Sequence, residues 1–244
     1  MEKSPEHGLP YVREAISAKQ ELADRIVTAI AIGAYSAGDR LPPERELAER
    51  QNVSRVTVRG ALEIVNSLGL IESRRGREGG TFVTRTSFDD VTLNTAHRIL
   101  AQEIPHLKDF FDYRCLVEGL VAKTAAERHD EEQAGKLHQI LELFCQTECA
   151  SLAREIDHKL HQCIMEMTGN RHLTSQSKQL TARATLGFGS EPYPVESLPR
   201  ARREHIALVE AILKRDGLAA FQEAQHHFAL TLAIMEYSLD GKPL

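Results

Sequence analysis

The stretch that decides the fold runs over residues 33 to 62: Gly33-Ala-Tyr-Ser-Ala-Gly-Asp-Arg-Leu-Pro-Pro-Glu-Arg-Glu-Leu-Ala-Glu-Arg-Gln-Asn-Val-Ser-Arg-Val-Thr-Val-Arg-Gly-Ala-Leu62. Its first part is rich in turn formers, and Pro43 suits the first turn of a helix, where its missing N–H costs nothing. A short helix over Glu44 to Arg50 is expected next. Asn52-Val53-Ser54 then makes a tight turn, with Ser54 as the N-cap of a helix reaching about Leu68 and stopped by Gly69. Upstream, Leu22, Ala23, Ile26, Ala29 and Ile30 mark the apolar face of a helix over Glu21 to Ile32. Downstream, extended segments at Leu70 to Ser73 and Gly80 to Val83 flank the charged tip Arg74-Arg75-Gly76-Arg77-Glu78-Gly79, which reads as a hairpin. Helix, helix, tight turn, helix, hairpin is the order of a winged helix-turn-helix, whose third helix enters a major groove while the hairpin lies on the adjacent backbone or minor groove.

Charge first argues against that reading, then for it. The whole chain has 30 Lys+Arg and 35 Asp+Glu, a net −5 that disfavours a nucleic-acid binder. Split near residue 85, however, the N-terminal part is +1 and the remainder −6, and residues 40 to 85 hold nine arginines and no lysine. Arginine is favoured where a planar fork must grip guanine edges or phosphates. On a helical wheel Val58, Ala61, Leu62, Val65 and Leu68 share one arc, while Arg55, Arg59, Glu63 and Asn66 share the other. Two arginines thus project from the first turns of a helix whose positive dipole end also favours phosphate. A solvated amphipathic helix is the bland alternative.

That run, closing with Gly69-Leu-Ile-Glu-Ser-Arg-Arg-Gly-Arg-Glu-Gly-Gly-Thr-Phe-Val83, resembles the GntR family of bacterial transcription regulators. The resemblance implies DNA contacts from Arg45 on the second helix, from Ser54, Arg55, Thr57 and Arg59 at the recognition helix, and from Gly76 and Arg77 in the wing. One departure is Gly60, where the family usually has Glu; glycine should weaken the helix by up to roughly 1 kcal/mol.

With 244 residues, two domains are expected: a winged helix-turn-helix over 15–85, a linker over 86–105 with some helix pattern at Leu93, Ile99 and Leu100 and ending at Pro105, and an all-helical domain over 106–239. The expected fold class is mainly α, an N-terminal winged helix-turn-helix plus a C-terminal helical bundle. Helical patterns recur over Leu107 to Arg128, Glu131 to Glu148, Ala150 to Thr168, His172 to Gly187, Pro199 to Arg215 and Leu218 to Leu239, with breakers between them and no β-rich stretch. No apolar run nears the roughly 20 residues that cross a bilayer, and the first residues lack a signal peptide's apolar core, so the cytoplasm is the expected location. Cys115, Cys145, Cys149 and Cys163 form no CxxC and read as buried small hydrophobes, although Cys145 and Cys149 could share a helix face.

Polar residues at inward positions are where a bundle shows its chemistry. Asp157 and His161 lie one above the other on a helix. His205 opens a stripe continued by Leu208, Val209 and Ile212; His227 lies at the edge of its helix's apolar arc, with His226 nearer solvent. One carboxylate and three imidazoles from three helices would suit a divalent transition metal. With 11 histidines present, unrelated surface or core histidines remain open.

Asp157-x3-His161, Thr168-Gly169-Asn170, Glu204-His205 and His227 are similar to the FCD effector domain of the FadR subfamily of GntR regulators. Tyr113-Arg114-Cys115-Leu116-Val117-Glu118 and Lys123-Thr-Ala-Ala-Glu-Arg128 resemble that domain's opening helix. The resemblance implies a metal, zinc or nickel, on Asp157, His161, His205 and His227, helping to bind a small carboxylate effector. Arg114 and then Arg183 are the candidate contacts for that carboxylate, since arginine grips it with two bonds; Asn170 is a third candidate, or else a helix cap. For both arginines a structural salt bridge is the alternative, for instance Arg114 to Glu118.

The expected protein is a homodimeric regulator, most often a repressor in this family, whose grip on a palindromic operator is set by a small organic or sugar acid at the metal. The alternatives are a regulator that senses the ion itself, and a helical metal-dependent hydrolase. Against the hydrolase, no further carboxylate is clearly placed as general base, and the N-terminal reader would be unexplained.

Overall fold

The computed structural model describes residues 17–31, 33–76, 79–84, 90–185 and 197–240. The first domain is built from α1 (Ala18–Ala31), α2 (Glu44–Gln51), α3 (Arg55–Ser67), β1 (Ile71–Arg74) and β2 (Gly80–Val83). The turn between α2 and α3 is set by Asn52 in the left-handed region, φ 52°, which asparagine tolerates. Ser54 caps α3, its Oγ accepting from Thr57 N at 3.1 Å. Val58, Ala61, Leu62 and Val65 are buried, and the opposite face with Arg55, Arg59, Glu63 and Asn66 is exposed, as the wheel predicts. The strands pair antiparallel, Ile71 opposite Val83 and Arg74 opposite Gly80, one residue later in β1 than the sequence pattern indicates.

The second domain is six helices: α4 (Asp90–Arg128), α5 (Glu131–Gln146), α6 (Ala150–Met167), α7 (Arg171–Ala184), α8 (Leu198–Leu213) and α9 (Gly217–Asp240). Five of them fall within a few residues of their expected bounds. The exception is α4, which begins inside the segment expected as a linker with some helix pattern. From Asp90 onward residues 86–105 are helix, continuous with the rest of α4 and running through Pro105, while 85–89 lie outside the described residues. A proline inside a helix costs about 3 kcal/mol through one lost bond and a clash. That cost is offset by a 39-residue helix that packs against α1, α6, α7, α8 and α9. At about 1.5 Å per residue such a helix spans roughly 58 Å, so it ties the two domains together as one rod. Where α4 meets α9, Gly119 is required by a close approach: a Cβ there would lie 2.9 Å from the Phe221 ring.

The core does not stop at the domain boundary. Leu107, Phe110 and Phe111 of α4, Leu180 and Ala184 of α7, and Met235 of α9 join the apolar cluster of Ile26, Ile30, Leu47, Val58 and Val65. Each fully buried aromatic or leucine is worth about 1.5–3 kcal/mol, so this seam is a substantial part of the domain contact. A polar joint accompanies it. Arg154 of α6 is buried, forms an ion pair with Asp39, and donates from Nη1 to Gly33 O and Ser36 Oγ, both at 3.4 Å.

All four cysteines are free. Only Cys163 is buried; Cys115 and Cys145 are half-buried and Cys149 is exposed, which corrects the expectation of four buried thiols. Cys145 ends α5 and Cys149 precedes α6, so they share no helix face. Among the described residues no helix is long and apolar enough to cross a membrane.

Candidate metal centre and nucleic-acid interface

Three helices deliver the four expected ligands to one point. One ligand atom from each of Asp157 and His161 on α6, His205 on α8 and His227 on α9 lies within 4.8 Å of all the others. Asp157 Oδ1 is 2.9 Å from His205 Nε2 and 3.4 Å from His161 Nε2, and His161 Nε2 is 3.3 Å from His205 Nε2 and 3.2 Å from His227 Nε2. Asp157, His205 and His227 are buried, and His161 is partly open.

The outer nitrogens decide which atoms face inward. His205 Nδ1 contacts the carbonyl of Ala201 at 2.8 Å; a carbonyl only accepts, so the proton is on Nδ1 and Nε2 presents a lone pair. His227 Nδ1 faces Glu204 Oε2 at 3.3 Å. Burial opposes ionisation of Glu204, but its bonds from His227 and from Arg200, the latter 2.7 Å, outweigh it and hold its carboxyl below the usual range. Glu204 is thus an acceptor, and His227 also turns a lone pair inward. Burial pushes the His227 pKa down to about 4, so the ring is neutral near pH 7. Burial also opposes charge on Asp157, yet His161 and His205 hold its carboxyl well below the ordinary value. The Asp157 carboxylate and the inward lone pairs of His205 and His227 therefore meet His161 Nε2 at about 3 Å in a largely buried space, an arrangement that a shared positive charge stabilises. Nitrogen and oxygen donors in this number fit a divalent transition metal.

A cavity of about 920 Å³ opens beside Asp157 and His161, lined on the bundle side by Gln162, Lys178 and Phe228 and on the other by Tyr35, Arg40 and Arg50 of the first domain. The three effector candidates fare differently. Arg114 is fully buried, 4.6 Å above the Phe228 ring with Nη1 3.5 Å from Thr231 Oγ1; Phe228 in turn lies 4.9 Å from the His161 ring. It is one aromatic ring removed from the cluster and does not line the cavity. Arg183 is exposed, its guanidinium 4.4 Å over Phe110. Lys178, Thr181 and Ala182 of α7 line the cavity, and the next residue is turned a further 100° away. Asn170 caps α7, its Oδ1 accepting from His172 N at 2.9 Å and Leu173 N at 3.4 Å.

The DNA-reading candidates form an exposed face. Arg55 is exposed, Thr57 is half-buried, and Arg59 reaches Glu44 of α2, Nη2 to Oε2 3.0 Å. Arg45 lies 3.9 Å from Glu49. Gly76 holds φ 109° at the hairpin tip, a conformation that favours glycine; Arg77 lies outside the described residues. Two contributors escaped the sequence reading. Glu204 was visible only as the neighbour of His205, yet it orients His227 across 23 residues. Val56 is 80% exposed at the start of α3. An apolar residue between Arg55 and Thr57 was the available signal, and an exposed valine there can meet a thymine methyl.

A winged helix-turn-helix joined to a helical bundle defines a class of two-domain transcription regulators. The model of the bacterial regulatory proteins of the gntR family matches residues 18–83, and the FCD domain matches residues 109–230. The Uxu operon transcriptional regulator of Escherichia coli K12 is 31% identical over 210 residues, covering 82% of this chain and 80% of that protein. The galactonate operon transcriptional repressor of the same organism is 29% identical over 210 residues, 82% and 91% respectively. The repressor NanR of Citrobacter rodentium is 29% identical over 202 residues, 79% and 75%. The chain belongs to the GntR family, with an FCD domain, and is a DNA-binding transcription regulator rather than an enzyme.

Proposed function

We propose that the chain is a homodimeric repressor that releases a palindromic operator when a small organic or sugar acid binds beside a divalent transition metal, zinc or nickel, held by Asp157, His161, His205 and His227. The observation that carries this is the convergence of those four ligand atoms within 4.8 Å, with two imidazole protons held outward by Ala201 and Glu204. A bound metal would supply a fixed positive charge for an effector carboxylate, and the cavity beside His161 has room for one. Relatives named as repressors, one of them for a galactonate operon, support both repression and an acid of the sugar type.

On the DNA side, Arg45, Ser54, Arg55, Thr57, Arg59, Gly76 and Arg77 contact the operator, and Val56 adds an apolar contact. Two-fold symmetry sets two half-sites in inverted order. An effector shifts DNA affinity only if it distinguishes two arrangements of the dimer. The α4 rod and the Arg154–Asp39 joint are the two routes by which the bundle can move the readers.

Operator affinity measured with metal, with chelator and across a panel of sugar acids tests the reading. Weaker operator binding with metal plus one acid is expected; affinity unchanged by both saturating acids and chelation overturns it. A second reading, sensing of the ion itself, is favoured by four protein ligands completing a tetrahedral set. Operator affinity that follows metal alone, without any acid, selects it.

A further inference from the structure

The cavity beside the metal cluster is not walled by the effector domain alone. Arg40, Leu41, Pro42, Glu46 and Arg50 of the first domain line it opposite α6 and α7. Its charges sort into pairs and a remainder. Arg154 pairs with Asp39, Arg50 pairs with Glu46, and Asp157 belongs to the imidazole cluster. Arg40, Lys159 and Lys178 then face a single remaining carboxylate, Glu155. Among the described residues none of these three cations makes an ion pair.

We propose that this cavity is a two-ended anion site spanning both domains, which takes a polyhydroxy acid bearing a second anionic group, carboxylate or phosphate. This rests on the reading of the cluster as the site of the first carboxylate. The second group lies toward Lys159 and Lys178 of the bundle and Arg40 of the reader. An anion confined between three cations in a partly enclosed space is screened less than one at an open surface. Arg40 also ties the ligand to the DNA-reading machinery. Its backbone bridges to Phe82 of β2, and a Cβ at Gly80 would collide with its guanidinium, so the side chain lies along β2 toward the tip of the wing. A ligand drawing Arg40 toward the cavity therefore pulls on the wing directly.

The test compares gluconate, glucarate and 6-phosphogluconate, which differ at one end, by calorimetry on the metal-loaded full chain without DNA. Glucarate and 6-phosphogluconate are each expected to bind about tenfold tighter than gluconate, with the advantage shrinking as salt rises. Arg40→Ala and Lys178→Ala should each remove several-fold of that advantage while gluconate affinity and metal content stay unchanged. A triple change of Arg40, Lys159 and Lys178 to alanine should abolish it. A larger gain for 6-phosphogluconate than for glucarate assigns the subsite to phosphate, the reverse to carboxylate. Equal affinity for all three acids, or a preference that survives the triple variant, overturns the proposal while leaving the metal-and-acid reading intact. Absence of binding by all three, together with an operator affinity deaf to acids and chelator, removes both.

Discussion

The Asp157–histidine cluster and the DNA-reading face are both built from polar side chains, under opposite conditions. In the cluster, Asp157, His205 and His227 are buried, and the outward nitrogens of His205 and His227 are committed to Ala201 and Glu204. On the reading face, Arg45 and Arg59 are largely exposed and rest on Glu49 and Glu44. Burial makes an uncommitted polar atom costly, so the buried site has to be preorganised. Exposed ion pairs are worth little, about 0–1 kcal/mol, so the reading arginines can exchange their carboxylates for phosphate or guanine. The buried cluster is rigid by necessity; the reading face is adjustable by its exposure.

Substitutions can break or sharpen that contrast. The largest effect is expected in the cluster: His205→Ala should abolish stoichiometric metal retention after dialysis. Glu204→Gln, which alters only the orienting bond to His227, should weaken metal affinity about 10–100-fold. If both variants retain metal like the parent, the preorganised cluster is not a metal site. Next comes the joint between the regions. Asp39→Asn leaves the Arg154 charge buried without its counter-ion and should cost about 3 kcal/mol in denaturant unfolding, a loss well above that of any exposed pair.

A pH effect of similar size is expected only on the cluster side. The His227 pKa is about 4 in the folded protein and ordinarily 6.5, so the unfolded chain takes up its proton first as pH falls. Stability of the metal-free protein should be fully present above about pH 6.5 and decline toward pH 4, by up to about 3 kcal/mol, and added zinc should delay the decline. A flat stability profile over that window would show that His227 is not buried neutral.

On the reading face the effects are smaller. Arg59→Ala should cost about 1–3 kcal/mol of specific operator binding and leave metal content untouched. The same loss on random DNA would assign it to phosphate rather than to a base. Smallest is Gly60→Ala. A Cβ there meets only the flexible Lys19 side chain, 3.2 Å from its Cδ, so thermal unfolding should report a gain of up to about 1 kcal/mol from helix propensity.

The two regions were also unequally legible. Ligands at Asp157 and His161 could be paired from their one-turn spacing, and the reading face from the wheel of α3, because both depend on a single helix's period. The position of Arg183 was not legible for the complementary reason: its helix was found, but that helix's phase toward the bundle depends on packing, and its guanidinium lies over Phe110. Asn170 was read both ways, and its side chain caps α7. The helical pattern expected in part of residues 86–105 extends from Asp90 through Pro105 into the rest of α4, because packing along that helix outweighs the local proline signal.

What the amino-acid order determined by itself is the set of helices, the hairpin, the arginine-bearing face and the four metal-ligand types, all consequences of periodicity and capping within short windows. Only the tertiary structure decided that Glu204 orients His227, that Arg154 locks onto Asp39, and that the DNA-reading domain lines the cavity beside the cluster. These contacts join residues 23 to 115 positions apart, and they exist because separate apolar faces pack into one shared core, a geometry that no local pattern encodes.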